Sequence, residues 1–310
     1  MLGQSQETLQ QLEIKNFGIG LVNSFTDINI PPGGGDIVQN ARFDNVGGIS
    51  KRISRSKYNS TSLGNNPIMY VQRIYIGAKR YFLCVYDNKL KVGSDAAGTF
   101  SDLATVTINR RYRGLTFKNF FYLFNGVDGN IKTDGTSANT SILGCAAPTA
   151  NPTGVKSSTG STLGVGTYQY KFSWVYDSYQ ESSVYGTALS VTTDGSNKSV
   201  DLYGFQTAPT NATHARFYRT TVGGSIFYYH SQHTKAQIAA YLTGARYNDA
   251  IADGSLDTTT TAPTDNGTAP ISKYGILHKS RIFVAGNPSD KSCLYYSKIA
   301  SVTSYPAVFP

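Results

Sequence analysis

The chain has 310 residues, of which only 15% are charged, and it contains 31 glycines, 22 tyrosines and 15 phenylalanines. That length accommodates about two domains with a sizeable core, and abundant aromatics with little charge exclude a disordered chain. The net charge of +9 is compatible with contact to nucleic acid or another acidic surface, and equally with an ordinary basic surface. Tyrosine, phenylalanine, threonine and valine favour strands, and glycine favours turns, so the composition predicts an all-β fold.

Residues 1–13 are polar and rich in glutamine, which predicts an N-terminal arm: a short helix, a segment that docks on a neighbour, or a frayed end. The arm has no basic start followed by an apolar stretch, so we expect no signal peptide. No run of 18 apolar residues occurs in the sequence, which predicts that no helix spans a membrane.

A turn-rich segment follows, and it holds the densest positive run of the chain. Clustered cations of this kind can contact phosphates, which makes the run a candidate for assembly or for facing DNA. A solvated loop is the alternative, because no aromatic side chains are interleaved as in single-strand binding proteins. The residues of this basic run are Arg42, Lys51, Arg52, Arg55 and Lys57.

A repeated pattern begins near residue 67. The segments Ala78–Val92 and Phe117–Lys132 each have a basic turn, an apolar strand, an Asp-containing turn and a second strand, and their apolar strands are offset by 40 residues. Lys279–Tyr296 repeats the pattern, and its strands are predicted to be largely buried. A period of about 40–45 residues is typical of β-propeller blades, which must stack to bury both faces.

Residues 147–270 have a different sequence pattern. Gly166–Tyr176 alternates, which places four aromatic side chains on one face, and Ala215–Thr220 and Ser225–His230 form a predicted hairpin around Gly223 and Gly224. About seven short strands in such a length predict an immunoglobulin-like sandwich. A single helix is predicted from the capping-box spacing of Thr234 and Gln237. The four aromatic residues are Tyr168, Tyr170, Phe172 and Trp174.

The predicted organisation is therefore nested. An N-terminal arm covers 1–13, the first part of a β-propeller-like domain covers 14–146, and its continuation covers 271–310. Between these parts, 147–270 form a fibronectin-III/Ig-like insert. The predicted fold class is all-β: a partial β-propeller-like repeat domain with an inserted immunoglobulin/fibronectin-III-like β-sandwich.

Cysteine usage indicates a reducing compartment. The three cysteines are far apart and form no Cys-x-x-Cys pair, which argues against a disulfide scaffold or a zinc site. Cys84 and Cys293 lie in apolar runs, and we expect both to be buried free thiols.

No catalytic constellation is recognisable. His230 and His233 lie at a strand end without further metal ligands, and we expect them to face solvent. Asp249, Asp253 and Asp257 recur at four-residue intervals without the order of a calcium loop. We therefore predict no catalytic, cofactor-binding or metal-binding residues, no cofactor and no enzymatic activity. A propeller glycosidase or lyase, whose carboxylates converge only in the folded chain, is the enzymatic alternative.

Arg42–Arg52, together with Arg281–Pro288 and Leu294–Ser297, resembles motifs of the tail nozzle (tail tubular protein B-like) proteins of short-tailed bacteriophages. Arg42–Arg52 is similar to their opening motif, and the C-terminal segments are similar to a recurrent motif of theirs. The predicted insert resembles fibronectin-III-like modules of phage structural proteins. The matching segments after the opening motif are Arg281–Pro288, Leu294–Ser297 and Tyr305-Pro306, and, in the insert, Tyr168–Ser182 and Arg216–Tyr229.

The resemblance implies a virion structural protein that forms a homo-oligomeric ring, expected to be a hexamer, around the DNA channel of the tail and contributes to DNA ejection. The expected partners are adaptor and tail-fibre proteins and, transiently and non-specifically, genomic DNA, with assembly in the host cytoplasm. A channel that passes DNA must not grip phosphates strongly, so we expect the basic run to serve subunit or loop contacts.

Two questions remain open at this level. Only about three repeat units are recognisable, whereas four or more blades close a propeller, so this is a shortened relative, part of a longer chain, or a subunit completed by another. The alternative function is a host-surface module that binds glycan. Its candidate sugar-stacking residues are Tyr176, Tyr179 and Tyr185.

Overall fold

The computed structural model describes residues 57–59, 61–94, 98–160, 162–177, 180–299 and 309, together with the backbone of four short strands before them. The chain divides into two compact units, Met1–Tyr58 and Asn59–Pro310. Strands dominate the fold and the described residues contain one α-helix, which confirms the all-β prediction. The predicted arm at 1–13 lies outside the described residues.

The first unit contains two small strand pairs. One is parallel and the other antiparallel. The four strands are β1 (Gly20–Leu21) with β2 (Gly34–Gly35), and β3 (Ala41–Phe43) with β4 (Ile49–Lys51).

The second unit begins with two four-stranded antiparallel sheets in which each strand pairs with the next along the chain. Their central apolar strands contain Tyr81 and Phe121, the positions that define the 40-residue offset. The first sheet consists of β5 (Ile68–Ile76), β6 (Lys79–Tyr86), β7 (Lys89–Ser94) and β8 (Phe100–Thr105). The second sheet consists of β9 (Arg113–Phe117), β10 (Phe120–Phe124), β11 (Ile131–Thr133) and β12 (Ser141–Ile142).

Two further sheets and the helix follow. One sheet has the order β13-β17-β20, and the other has the order β15-β14-β18-β19-β21 with β16 also paired to β14. The elements are β13 (Thr153–Ser157), β14 (Gly166–Tyr176), β15 (Gln180–Glu181), β16 (Leu189–Thr193), β17 (Ser199–Tyr203), β18 (Ala212–Arg219), β19 (Tyr228–Thr234), α1 (Lys235–Thr243), β20 (Tyr247–Asp249) and β21 (Asp257–Thr261).

These two sheets share one aromatic core. The four alternating aromatic residues of β14 are all buried in it, as predicted, together with Val200 and Leu202 from the other sheet. The Phe172 and Trp174 rings meet edge to face at 5.1 Å. Helix α1 begins with the predicted capping box, in which the Thr234 hydroxyl accepts from the backbone N–H of Gln237. The helix buries Ile238 against the same core.

The last sheet returns to the stack formed by the first two. Strands β22 (Tyr274–His278), β23 (Arg281–Ala285) and β24 (Leu294–Tyr296) form an antiparallel sheet. Ile282 and Val284 share a core with Tyr122 and Phe124 of β10. Strand β10 is therefore central, since its alternate residues Phe121 and Leu123 face the first sheet instead.

The second and third sheets of this stack begin with equivalent hairpins. The turn Lys118-Asn119 has φ values of 43° and 60°, and the turn Lys279-Ser280 has φ values of 44° and 59°. Each turn follows a strand with glycine at its second position. A Cβ on Gly275 would lie 2.3 Å from the Phe124 ring, so only glycine permits this close approach of β22 to β10.

Two predictions about the C-terminal strands and the cysteines are wrong. Strand β24 is largely exposed rather than buried, because nothing in the described chain covers its outer face. Cys293 precedes this strand and is exposed, whereas Cys84 and Cys145 are buried. All three are free thiols.

The two connections between the stack and the β13–β21 region run side by side. Gly144 and Thr268 form an antiparallel bridge. The Cys145 N–H donates to the Gly267 carbonyl at 3.1 Å, and the Ala269 N–H donates to the Leu143 carbonyl at 2.9 Å. We call this paired segment, 143–145 with 267–269, the neck.

Candidate assembly surface

The second and third sheets of the stack have the same orientation, with equivalent faces pointing in the same direction along the stack. This follows from strand register. In an antiparallel pair, directly opposed residues lie on the same face of the sheet. Leu115 opposes Tyr122 in the second sheet, and both lie on the face that packs on the third sheet. The positions equivalent to them in the third sheet are Ile276 and Phe283, which also oppose each other. The same face is thus covered in one sheet and available in the next.

The available face of the third sheet is apolar and exposed. Tyr274, Ile276, Leu294 and Tyr296 expose 47%, 65%, 62% and 48% of their surface, and Phe283 lies between them, half-buried. Ile276, Phe283 and Tyr296 form one row across the three strands, and Tyr274 and Leu294 flank Ala285 in the next row. We call these five large residues the open face. Single exposed apolar residues are common on proteins, whereas a contiguous set marks an interaction surface.

The other end of the stack carries a second exposed apolar surface, on the outer side of the first sheet. Val71 and Tyr75 of β5 are 63% and 55% exposed. Ile74 and Ile76 on the other face of the same strand are buried against the second sheet. The Arg73 guanidinium lies 5.4 Å from the centre of the Tyr75 ring. We call this surface, with Val71, Arg73 and Tyr75, the opposite face.

The basic run predicted from sequence is described only in part. Lys57 is exposed. Arg42 and Lys51 lie on the paired strands β3 and β4, and their side chains, like Arg52 and Arg55, are outside the described residues. Whether the run serves assembly or faces DNA stays a prediction.

The expectation that His230 and His233 face solvent is wrong. Both are buried, and the His230 Nε2 atom lies 2.8 Å from a carboxylate oxygen of Asp249. His233 stacks on the Phe217 ring at 4.7 Å and contacts the Tyr241 hydroxyl at 3.2 Å. Among the described residues no group of acidic, cysteine and histidine side chains is arranged to hold a metal. These histidines therefore belong to the core.

The acidic residues near them complete a buried network. Arg219 and Asp249 are fully buried and form an ion pair at 2.8 Å, and Arg219 reaches Asp253 at 2.9 Å. The Tyr170 hydroxyl donates to Asp249 at 2.7 Å. Burial favours a raised pKa for Asp249, but the hydrogen bond and charge of His230 and the charge of Arg219 lower it to about 2. Two of the three regularly spaced aspartates, Asp249 and Asp253, thus pair with Arg219, whereas Asp257 accepts hydrogen bonds from Thr259.

The tyrosines predicted for sugar stacking do not form an exposed platform. Tyr176 is buried, and its hydroxyl donates to the Ala146 carbonyl at 2.8 Å, so this residue packs in the core and is not available to a sugar. Tyr185 is half-buried, and Tyr179 lies outside the described residues. Nothing in the described part of the chain therefore favours glycan binding at these tyrosines.

The buried His233 gives folding a dependence on pH. Burial, followed by the nearby His230, lowers the pKa of His233 to about 4, whereas an unfolded chain has a histidine pKa of about 6.5. The unfolded state then binds more protons between these values, so stability is full above about pH 6.5 and falls toward pH 4. We expect the thermal midpoint to fall across this range, and less so in His233→Gln. His278→Gln, at an exposed histidine, should retain the full decrease; an equal decrease in all three proteins would contradict the assignment.

The comparisons with known proteins identify no relative. No protein-family model, no curated protein and no solved structure matches the chain. The described part of the chain contains no helix with the length and hydrophobicity that a membrane crossing requires. Function must therefore be argued from the geometry of the sheets and their exposed faces.

Proposed function

We propose that this protein is a non-enzymatic structural subunit of a bacteriophage tail, which forms a homo-oligomeric ring around the DNA channel and contributes to DNA ejection. The observation that carries the proposal is the open face: a sheet surface equivalent to one that is covered within the same chain. Its natural occupant is another sheet of the same kind. We infer the location from the segments that are similar to tail nozzle proteins: the subunit is part of a virion that is assembled in the host cytoplasm.

The two ends of the stack present different surfaces, and this supports a ring rather than a symmetric dimer. The open face and the opposite face are different surfaces at the two ends of one stack, so copies that join them make head-to-tail contacts. Such contacts generate a closed ring when the rotation between subunits closes. Propeller-like sheets likewise protect their faces by radial repetition. We propose that the stacked sheets are blades of this type, with six copies in the ring.

The region between the blades supports the finer fold proposal. Its six-stranded sheet, which contains β16, β14, β18 and β19, and its three-stranded sheet β13-β17-β20 share one core, and two antiparallel sheets around a common core are typical of the immunoglobulin or fibronectin-III kind. Trp174 is buried on β14, which pairs with three other strands of the larger sheet, and a buried tryptophan on a core strand also occurs in immunoglobulin domains. We propose this region as the insert of the ring subunit.

The experiment places a charge on the open face. In Ile276→Glu/Leu294→Glu, two carboxylates replace exposed apolar side chains, so the variant should fold but no longer associate, because burying an unpaired carboxylate is costly. Mass photometry of the full chain should show the wild type as a closed oligomer and the variant as a monomer. Ile226→Glu changes an equally exposed residue on the β18–β19 hairpin and should leave the oligomer intact.

Two results would overturn the proposal. A wild-type protein that is monomeric throughout the micromolar range contradicts ring formation. An oligomer that survives in the open-face variant, with unchanged circular dichroism, shows that another surface joins the subunits. A glutamate at Val71 provides the complementary test, because head-to-tail contacts require the opposite face as well.

A further inference from the structure

A basic cleft of about 530 Å³ lies where the second and third sheets of the stack meet at one end. It is formed by the segment before β9, the turn after β10, the start of β22 and the loop after β23. Four cationic side chains line it, and no acidic residue does. The cations are Arg110, Arg111, Lys273 and Lys291.

These cations differ from several others that the structure describes. Lys132, Lys156, Arg216 and Arg219, for example, each pair with a carboxylate. Within the described residues, none of the four cleft cations forms an ion pair with a carboxylate, and all four are exposed. Like charges that converge without counter-charges raise the local concentration of anions.

Contacts with neighbouring segments fix the position of Lys273. Its backbone N–H donates to the Ala285 carbonyl at 3.0 Å, which ties the residue to β23. Gly126 and Gly286, with φ values of 78° and 75°, approach the Lys273 side chain so closely that a Cβ on either would lie 3.1 and 3.0 Å from its Cβ. The stem is thus held between two loops, and the ammonium group is presented at the cleft.

A side-chain amide and an aromatic ring at the cleft offer further contacts to a ligand. The Asn287 side-chain oxygen accepts the N–H groups of Ser289 and Asp290 at 2.8 and 3.1 Å, which leaves its Nδ2 group as a donor at the cleft wall. The Tyr274 ring forms another wall, and the Lys273 Nζ atom lies 5.5 Å from its centre. Cations beside an aromatic ring are the combination that binds a single nucleic-acid strand, with phosphates on the cations and a base on the ring.

The neighbouring cleft of the same stack shows that this charge is not a property of the fold. It has a volume of about 140 Å³ and shares Asn109 with the basic cleft. It is lined by no lysine or arginine, and Asp87 contributes to it. The basic residues are therefore specific to the cleft between the second and third sheets.

We infer that this cleft binds the phosphodiester backbone of a single nucleic-acid strand, with arginine and lysine contacting consecutive phosphates and Tyr274 accepting a base. A guanidinium binds a phosphate or a carboxylate in the same bidentate manner. The Tyr274 ring beside the cations, on which a base can stack, is what favours a nucleic-acid strand over a carboxylate polymer. The site adds to the proposed function and is complete within one chain. Because Tyr274 also belongs to the open face, the test changes only cleft cations and measures ring formation separately.

The test measures the binding of a fluorescein-labelled oligothymidylate of about 12 nucleotides, a length within the usual site sizes for single strands. Arg111→Gln/Lys273→Gln should weaken binding at least about tenfold at low salt, with the salt slope reduced by about 0.7 for each phosphate that is no longer neutralised. Arg246→Gln/Lys156→Gln removes the same charge from exposed side chains outside the cleft and should weaken binding no more than about twofold. Mass photometry of all three proteins reports ring formation separately.

Three outcomes would overturn the inference. Wild-type protein that does not bind the oligonucleotide at about 50 mM salt has no such site. Equal weakening in the cleft variant and the control variant assigns binding to net charge alone. Polyglutamate that competes as well as unlabelled oligothymidylate at equal charge shows that phosphate is not recognised.

Discussion

Replacing Asp249 by alanine should lower the free energy of unfolding by about 3 kcal/mol, the lower end of the cost of breaking a buried ion pair, because Arg219 keeps Asp253 as a second partner. Arg219 remains fully buried with its guanidinium facing the vacated position, and His230 and Tyr170 lose the oxygens that they contact. Urea denaturation followed by tryptophan fluorescence measures the loss, since Trp174 lies in the adjoining core.

Two comparisons isolate the role of charge in that network. Asp249→Asn keeps much of the shape and the hydrogen-bonding capacity but removes the negative charge, so it should cost less than the alanine variant while remaining clearly destabilised. Lys156→Ala disrupts the exposed pair with Asp194 and should leave the urea midpoint unchanged. If Asp249→Ala also left the midpoint unchanged, the network would contribute nothing to stability.

Truncating the central strand of the stack should have an effect of similar size. Phe121 and Phe124 are fully buried on opposite sides of β10, one in each of the two cores that this strand separates. Each Phe→Ala substitution should cost about 3–5 kcal/mol, because it removes a large buried ring and leaves a cavity. The double variant should lose approximately the sum, since the two rings share no partners.

Urea denaturation of the two single variants and the double variant checks this expectation. Val165→Ala, at an exposed apolar position, provides the control and should change stability by less than about 0.5 kcal/mol. If Phe121→Ala were costly and Phe124→Ala were not, the third sheet would not pack on β10. The open face would then lose its equivalence to a covered face.

Much of the fold could be predicted because it is encoded by short-range patterns. The alternation in β14 identified its core face, and the spacing of Thr234 and Gln237 identified the start of α1. The repeated turn at Lys118 and Lys279 identified two equivalent hairpins, since both turns adopt the same backbone conformation. In each case the cause lies within a few residues of its effect.

The buried histidines could not be predicted in this way. The polar sequence of β19 is typical of an exposed strand, and His230 is buried only because Asp249 reaches it from β20 in the other sheet. The open face was missed for a related reason. The apolar residues of β22 and β24 indicate burial, but whether a partner covers them depends on another sheet and not on their own sequence.

The neck has a consequence for how such a protein changes over generations. Its two antiparallel segments enter and leave the β13–β21 region at adjacent points, joined by backbone hydrogen bonds such as that from Cys145 to Gly267. Because the chain leaves and re-enters the stack at neighbouring points, a change of length in a loop of this region does not require the strands of the stack to move. Sequence change in the loops of the β13–β21 region is therefore compatible with an unchanged stack.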